Sequence, residues 1–277
     1  MSKRKRHVQK DNKLLSIVTP VFGRFDLLNM CIESLINSNT TFRYDVILVD
    51  NNSPDQEEAR AFYAGLEDFN ILVKRNRENI GFPRACNYGA RRKTSPLILF
   101  LNSDIVLDAD CLELMVREMD NPNIGVVGAR LLFPEDVGNL QQVIRPANKV
   151  QHIGLSCDAR GRIKHPLSGW DKEHKKVMSV RQAFAVTGAC MLTRRSLFSA
   201  VGGFDEQYGI GTYEDVDFCM AVRELGKEII VQPKAWAYHY TGASAETYNQ
   251  GFPLNGNEVL FKQKWAGKLF YSDYLYY

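Results

Sequence analysis

The chain has 277 residues, 45% of them hydrophobic, and a formal net charge of +3 with charges of both signs interspersed. That length can bury a substantial core in one large domain or two small ones, and the charge pattern excludes a global field directed at nucleic acid or anionic membrane. No apolar run has the length of a membrane-spanning helix and the N-terminus lacks the hydrophobic stretch of a signal peptide, so a cytoplasmic protein is expected, with a peripheral membrane position left open.

Residues 1–13 read as a flexible basic tail. The run Lys3-Arg4-Lys5-Arg6-His7 with Lys10 can meet phosphates, lipid headgroups or an acidic surface, or simply remain solvated. From Leu14 to about Leu131, short apolar runs alternate with amphipathic stretches, the pattern of consecutive βα units and a mainly parallel sheet. Strands are predicted at Leu14–Thr19, Asp45–Asp50, Ile71–Lys74, Leu97–Leu101 and Gly125–Leu131. Helices are predicted at Asp26–Ile36, Phe82–Arg91 and Ala109–Met119. After Leu131 comes a long irregular insertion, which leads to the apolar run Phe184–Leu192. Helical pattern returns at Arg195–Val201 and at Val216–Leu225, stopped by Gly226, and Glu228–Gln232 reads as a strand.

Aromatic residues gather at the end of the chain: Phe252, Phe261, Trp265, Phe270, Tyr271, Tyr274, Tyr276 and Tyr277. Packing is the favoured reading of this 246–277 extension, over a dimer contact or a membrane-surface anchor. Cys31, Cys86, Cys111, Cys157, Cys190 and Cys219 have no CxxC spacing, which points to small buried hydrophobes in a reducing compartment rather than a zinc cage or disulfide framework.

In a parallel α/β sheet, ligands sit beyond the carboxyl ends of the strands. Those positions are polar here: Thr19-Pro20-Val21-Phe22-Gly23-Arg24 after the first strand, Asp50-Asn51-Asn52-Ser53 after the second, Asn76 to Phe82 after the third and Asn102-Ser103-Asp104 after the fourth. Further along stand Thr187-Gly188-Ala189-Cys190, Gly202-Gly203-Phe204-Asp205, Tyr213-Glu214-Asp215-Val216-Asp217 and Tyr238-His239. Each motif is weak alone. In this order they make the chain, from about Leu14 to Ser244, resemble the family 2 glycosyltransferases of the GT-A fold.

The resemblance implies an α/β domain over 14–245, with a nucleotide-binding half at 14–131 and an acceptor-binding half, carrying the irregular insertion, at 132–245. It implies inverting transfer of a sugar from a nucleotide-diphosphate donor, UDP- or dTDP-linked, to a saccharide or lipid-linked saccharide acceptor. Asp50 is expected to read the nucleobase, with Thr19, Pro20 and Arg24 in the same pocket; the alternative is that Asp50 caps the following turn. Asn79, Gly81 and Asn87 belong to the donor-side motif.

Asn102-Ser103-Asp104 stands where the family has Asp-x-Asp. Asp104 is therefore the expected ligand of Mn²⁺ or Mg²⁺, with Asn102 and Ser103 at ribose or phosphate and the missing first Asp bearing on metal affinity. His239 is a second metal or diphosphate contact, or a histidine that is merely hydrogen-bonded. Asp215 is the candidate base that takes the acceptor hydroxyl's proton, unless it serves only the helix dipole. Glu214 would bind acceptor or raise the base's pKa. Trp170 is an acceptor wall or a core anchor of the insertion. His152, His165 and His174 read as surface or acceptor-side residues, and Arg77 or Arg84 as aids to the departing diphosphate.

Three rivals remain at this stage. A nucleotidyltransferase would carry a glycine-rich basic loop after the first strand, where this chain has only Gly23. A non-catalytic binding module draws support from Asn102 but is opposed by Glu214-Asp215. A nucleic-acid acceptor rests solely on the basic tail.

Overall fold

The computed structural model describes residues 14–67, 71–134, 147–158, 160–179, 181–240 and 254–268. In chain order the first half runs β1 (Leu15–Val21), α1 (Phe25–Ile36), β2 (Tyr44–Asp50), α2 (Gln56–Ala64), β3 (Ile71–Arg75), α3 (Phe82–Ala90), β4 (Leu97–Leu101), β5 (Ile105–Leu107), α4 (Cys111–Glu118) and β6 (Ile124–Leu132). The five predicted strands and three predicted helices of this half are present within a few residues. The helix α2 was not foreseen. Its start is local chemistry, since Asp55 accepts hydrogen bonds from the Glu57 and Glu58 amides and caps the first turn.

The second half holds the short strands β7 (Val150–His152), β8 (Ser156–Cys157), β9 (Ile163–Lys164) and β10 (Arg181–Gln182) within the insertion. Then follow β11 (Cys190–Arg194), α5 (Arg195–Ala200), a single 3-10 turn at Glu206–Tyr208, α6 (Glu214–Glu224), β12 (Glu228–His239) and α7 (Leu254–Lys264). β12 runs past the predicted end at Gln232 by means of an irregularity between Gln232 and Trp236, which accommodates Pro233.

The main sheet has the order β10-β12-β6-β11-β4-β1-β2-β3. β3, β2, β1 and β4 are mutually parallel, β12 is parallel to β6, and β11 lies antiparallel between β4 and β6. Being antiparallel, β11 begins at the edge where its neighbours end. The loop before it, Thr187-Gly188-Ala189, thereby joins the carboxyl ends of β1, β2 and β4.

Strand alternation divides the core into two layers. In β4, Leu97, Leu99 and Leu101 pack with α1 and α4, whereas Ile98 and Phe100 pack with Phe198, Phe204 and Phe218 on the other face. The second layer extends to α7, where Phe261 and Trp265 are buried. Trp265 donates its indole N–H to Asp217 Oδ1 at 2.8 Å and Lys264 reaches Asp217 Oδ2 at 2.9 Å. Part of the aromatic extension is thus packed core. The basic run before Leu14, together with Phe252, Phe270, Tyr271, Tyr274, Tyr276 and Tyr277, lies outside the described residues. No helix among the described residues is long and apolar enough to cross a membrane, and all six cysteines are buried and free.

Candidate active site

A cleft of about 270 Å³ opens at the carboxyl edge of the sheet. Its floor comes from the end of β1 (Pro20, Val21, Phe22), from Asn51 after β2 and from Asn79 ahead of α3. The turn Asn102-Ser103-Asp104 after β4 and the loop Thr187-Gly188-Ala189 complete that side, and Ile210, Gly211, Thr212, Glu214 and Asp215 close it from the start of α6. Asp104 and Asp215, 111 positions apart in the chain, line one cavity.

Asp104 is almost fully buried, and its Oδ1 has no hydrogen-bond partner. Facing it at 3.3 Å is Nε2 of His239, also buried. The ladder explains the meeting. β5 turns back after Asp104 and pairs antiparallel with the end of β12, setting His239 opposite Ile105 while the Tyr240 amide donates to the Asp104 carbonyl at 3.0 Å. A buried carboxylate oxygen left without a donor is costly unless a cation or proton meets it. Asp104 and His239 are therefore a pair of donors suited to a divalent ion. Among the described residues no group of three or more His, Cys, Asp and Glu converges, so any ion held here would draw its other ligands from a bound ligand and water.

Asp215 stands in the first turn of α6. Its Oδ2 accepts the Gly188 amide at 2.9 Å and its Oδ1 the Val216 amide at 2.8 Å, so the carboxylate is held in one orientation. Burial raises its pKa, and those two amides oppose the rise. Glu214 beside it is buried, with Oε2 unpartnered, and burial followed by the Asp215 charge pushes its pKa well above the ordinary glutamate value. Thr212 and Tyr213 precede the pair with φ of 79° and 70°, a left-handed conformation that side chains adopt rarely and at a cost.

What holds those two residues is Asn257 on α7. Its amide donates to the carbonyls of Tyr208, Gly211 and Thr212 at 3.0, 2.7 and 3.0 Å. Gly81 supports the same loop from the other side. Its φ is +82°, a Cβ there would collide with the Gly209 carbonyl, and the next amide, of Phe82, donates to the Ile210 carbonyl at 3.0 Å.

Residues 16–202 match the profile described as Glycosyl transferase family 2. The chain belongs to that family. Membership of this family of sugar-transferring enzymes, with a relative named as a glycosyltransferase, supports an enzyme over the non-catalytic module. It is 29% identical over 252 residues to the O-antigen biosynthesis protein RfbC of Myxococcus xanthus, covering 87% of this chain and 18% of that one. It is 26% identical over 225 residues to the pre-mycofactocin glycosyltransferase of Mycobacterium tuberculosis, covering 81% of this chain and 42% of the relative. The chain thus spans between 18% and 42% of the length of these two relatives.

Among solved structures it resembles GalNAc-T7 with UDP, GalNAc and Mn²⁺, at a TM-score of 0.67 and 17% identity over 81% of this chain and 42% of that one. It also resembles the mannosyltransferase PcManGT of Pyrobaculum calidifontis, in complex with GDP-Man and Mn²⁺, at a TM-score of 0.56 and 15% identity over 82% and 56% of the two chains. These likenesses show the GT-A fold: a curled mixed sheet flanked by helices.

Of the residues expected in the glycosyltransferase site, Pro20, Asn79, Asn102, Ser103, Asp104, Glu214 and Asp215 line the cleft, and His239 supports it through Asp104. Thr19, Arg24, Asp50, Gly81, Asn87 and Trp170 are not among the residues that line it. Thr19 is buried next to Pro20, its hydroxyl without a partner. Arg24 pairs with Asp26 at 2.8 Å. Asp50 is fully buried; Oδ1 accepts the Ser53 amide and hydroxyl at 2.8 and 2.7 Å, and Oδ2 takes Arg75 at 3.1 Å, the turn-capping arrangement weighed as its alternative.

Asn87 clasps the backbone of Phe204, donating to its carbonyl at 2.8 Å and accepting its amide at 2.9 Å, and so anchors the Gly202–Asp205 turn. Arg84 pairs with Glu206 at 3.2 Å. Trp170 is 41% exposed, edge-on to His174 with ring centroids 4.8 Å apart, so it is no core anchor.

Two residues gain in importance over their sequence reading. His152 is buried, and its Nε2 accepts the Gly154 and Thr187 amides at 3.2 and 3.3 Å, so its proton sits on Nδ1, 3.4 Å from Nδ1 of His165. His165 must then accept there, leaving its own N–H on Nε2. Burial lowers the His165 pKa while the Asp215 charge raises it, which sets this ring within electrostatic reach of the carboxylate. No spacing in the sequence signals that pair.

Proposed function

We propose that the chain is an inverting glycosyltransferase that uses a UDP- or dTDP-linked sugar and a saccharide or lipid-linked saccharide acceptor, with Mn²⁺ or Mg²⁺ as its cofactor. The observation that carries the reading is that Asp104, with an unpartnered buried oxygen, and Asp215, oriented by two amides, face one cleft. The metal and the uridine nucleotide gain support from GalNAc-T7, solved with UDP and Mn²⁺. The acceptor class gains support from a relative named for O-antigen biosynthesis.

Asp104 and His239 would hold the divalent ion, which when bound would neutralise the negative charge of the donor diphosphate. Asn102 and Ser103 approach the ribose or phosphates from the same turn. Pro20 and Asn79 bound the nucleotide end, with Thr19, Arg24 and Asp50 shaping it from behind. Asp215 accepts the proton of the acceptor hydroxyl as its oxygen bonds to the anomeric carbon and the bond from that carbon to the diphosphate breaks. Attack opposite the leaving group inverts the carbon and needs no covalent enzyme intermediate. Glu214, kept protonated by burial and by its neighbour, offers an O–H to the acceptor. Trp170 and His165 supply an aromatic face and an N–H further out on the acceptor side.

Asp215→Asn tests this reading. Donor binding, measured by calorimetry with UDP-sugars and Mn²⁺, is expected to stay near the wild-type value while transfer falls by about 10²–10⁴-fold. Equal turnover by both proteins would remove Asp215 from its role.

A further inference from the structure

We infer that Gln151 is a positioning residue that fixes the His239 imidazole for a divalent cation, an inference that rests on the metal reading above. Gln151 is the middle residue of β7, in the irregular insertion, and its carboxamide meets His239 at two points. Nε2 donates to the His239 carbonyl at 3.0 Å, and Oε1 lies 2.6 Å from the imidazole Nδ1. A backbone carbonyl can only accept, so the end of the amide that faces it must be the NH₂ end. The other end is then an oxygen, which in turn requires that Nδ1 carry the ring proton.

The neutral ring's lone pair consequently sits on Nε2, the atom 3.3 Å from Asp104 Oδ1. With the ring neutral, two acceptors face each other, and Asp104 Oδ1 has no hydrogen-bond partner among the described residues. Adjacent ligands of an octahedral ion at ~2.1 Å stand about 3.0 Å apart, close to this spacing. Imidazole ligands regularly owe their tautomer and ring angle to the acceptor on their other nitrogen. Here that acceptor comes from a strand on which no metal motif lies. If Gln151 served only to pack β7 against the end of β12, an apolar residue of similar length would replace it without effect on the cation.

The test is direct Mn²⁺ titration by electron paramagnetic resonance, with the metal alone and with added UDP, on wild type, Gln151→Met and Gln151→Glu. Gln151→Met keeps the volume and loses the two hydrogen bonds to His239; Mn²⁺ affinity is expected to fall by about 10–100-fold. Gln151→Glu keeps an acceptor for Nδ1–H and is expected to bind Mn²⁺ at close to wild-type strength, a rescue that packing alone would not produce. In parallel, ¹⁵N-resolved imidazole spectra of the metal-free wild type at about pH 8, above the ordinary histidine range, should show His239 protonated on Nδ1.

Unchanged Mn²⁺ affinity in Gln151→Met, or a His239 ring protonated on Nε2, would overturn the inference while leaving the metal reading intact. No Mn²⁺ binding by wild type under either condition would overturn the metal reading itself and the inference with it. Should Gln151→Met fail to fold, the wild-type tautomer and the Gln151→Glu affinity decide the matter.

Discussion

Glu214 shows how much of a side chain's chemistry is set by its surroundings. A glutamate at the first turn of a helix in water would ionise readily and favour the dipole. Buried beside Asp215, it has a pKa raised well above the ordinary value, so folding favours its protonated form. The sign follows from linkage: this contribution is fully present below the unfolded pKa and is lost as pH rises through the higher folded value. Glu214→Gln should therefore gain thermal stability relative to wild type, and the gain should grow as pH rises above the ordinary glutamate range. Thermal midpoints measured at a series of pH values check it, and a difference that does not vary with pH would count against a protonated Glu214. Asp215, raised in the same direction by burial, should place the acid limb of the rate profile above the ordinary aspartate range.

At the scale of elements, the site is shaped by pieces that do not line the cleft. Helix α7 holds the loop before α6 through Asn257, whose NH₂ meets three carbonyls, while Gly81 presses on the same loop from the start of α3. The strained residues Thr212 and Tyr213 persist because both sides over-determine them. Asn257→Ala leaves those carbonyls without their donor and is expected to cost about 1–3 kcal/mol. The loss should appear as faster amide exchange in residues 208–213 and as weaker transfer. Exchange unchanged from wild type would show that Gly81 and the packing of Phe261 suffice. A sequence reading that set 246–277 apart as an extension had no means of seeing this, because an Asn on a short helix looks like any polar surface residue.

For the whole molecule, the cleft exists because β11 runs against its neighbours and β12 returns alongside β6, which together bring Thr187–Ala189 and His239 to the edge where β1, β2 and β4 end. Ligands that bind only the native state raise its apparent stability. A panel of nucleotide-sugars with Mn²⁺ should therefore single out the donor by its shift in thermal midpoint, about 2.7 kcal/mol of stabilisation at a hundredfold excess over Kd. Chelation should abolish that shift. A donor that stabilises equally in chelator would mean that Asp104 and His239 are not needed for its binding.

Local patterns determined the sheet-and-helix alternation to Leu131, the polar residues at each strand end, and the ordered motifs that mark a glycosyltransferase, because strand and helix periods and turn chemistry are written over a few neighbouring residues. The resemblance those motifs carry led Asp104 and Asp215 to be expected in one site, and both line one cleft. Only the tertiary structure decided that Asn87 anchors the Phe204 turn, that Asp50 caps its own turn and pairs with Arg75, and that Gln151 meets His239, His152 meets Thr187 and His165, and Asn257 meets the loop before α6. Those contacts join residues as far as 117 positions apart. The β2–β3 ladder sets Asp50 beside Arg75 and the β5–β12 ladder brings His239 to Asp104, and no local period in the chain records a long-range partner.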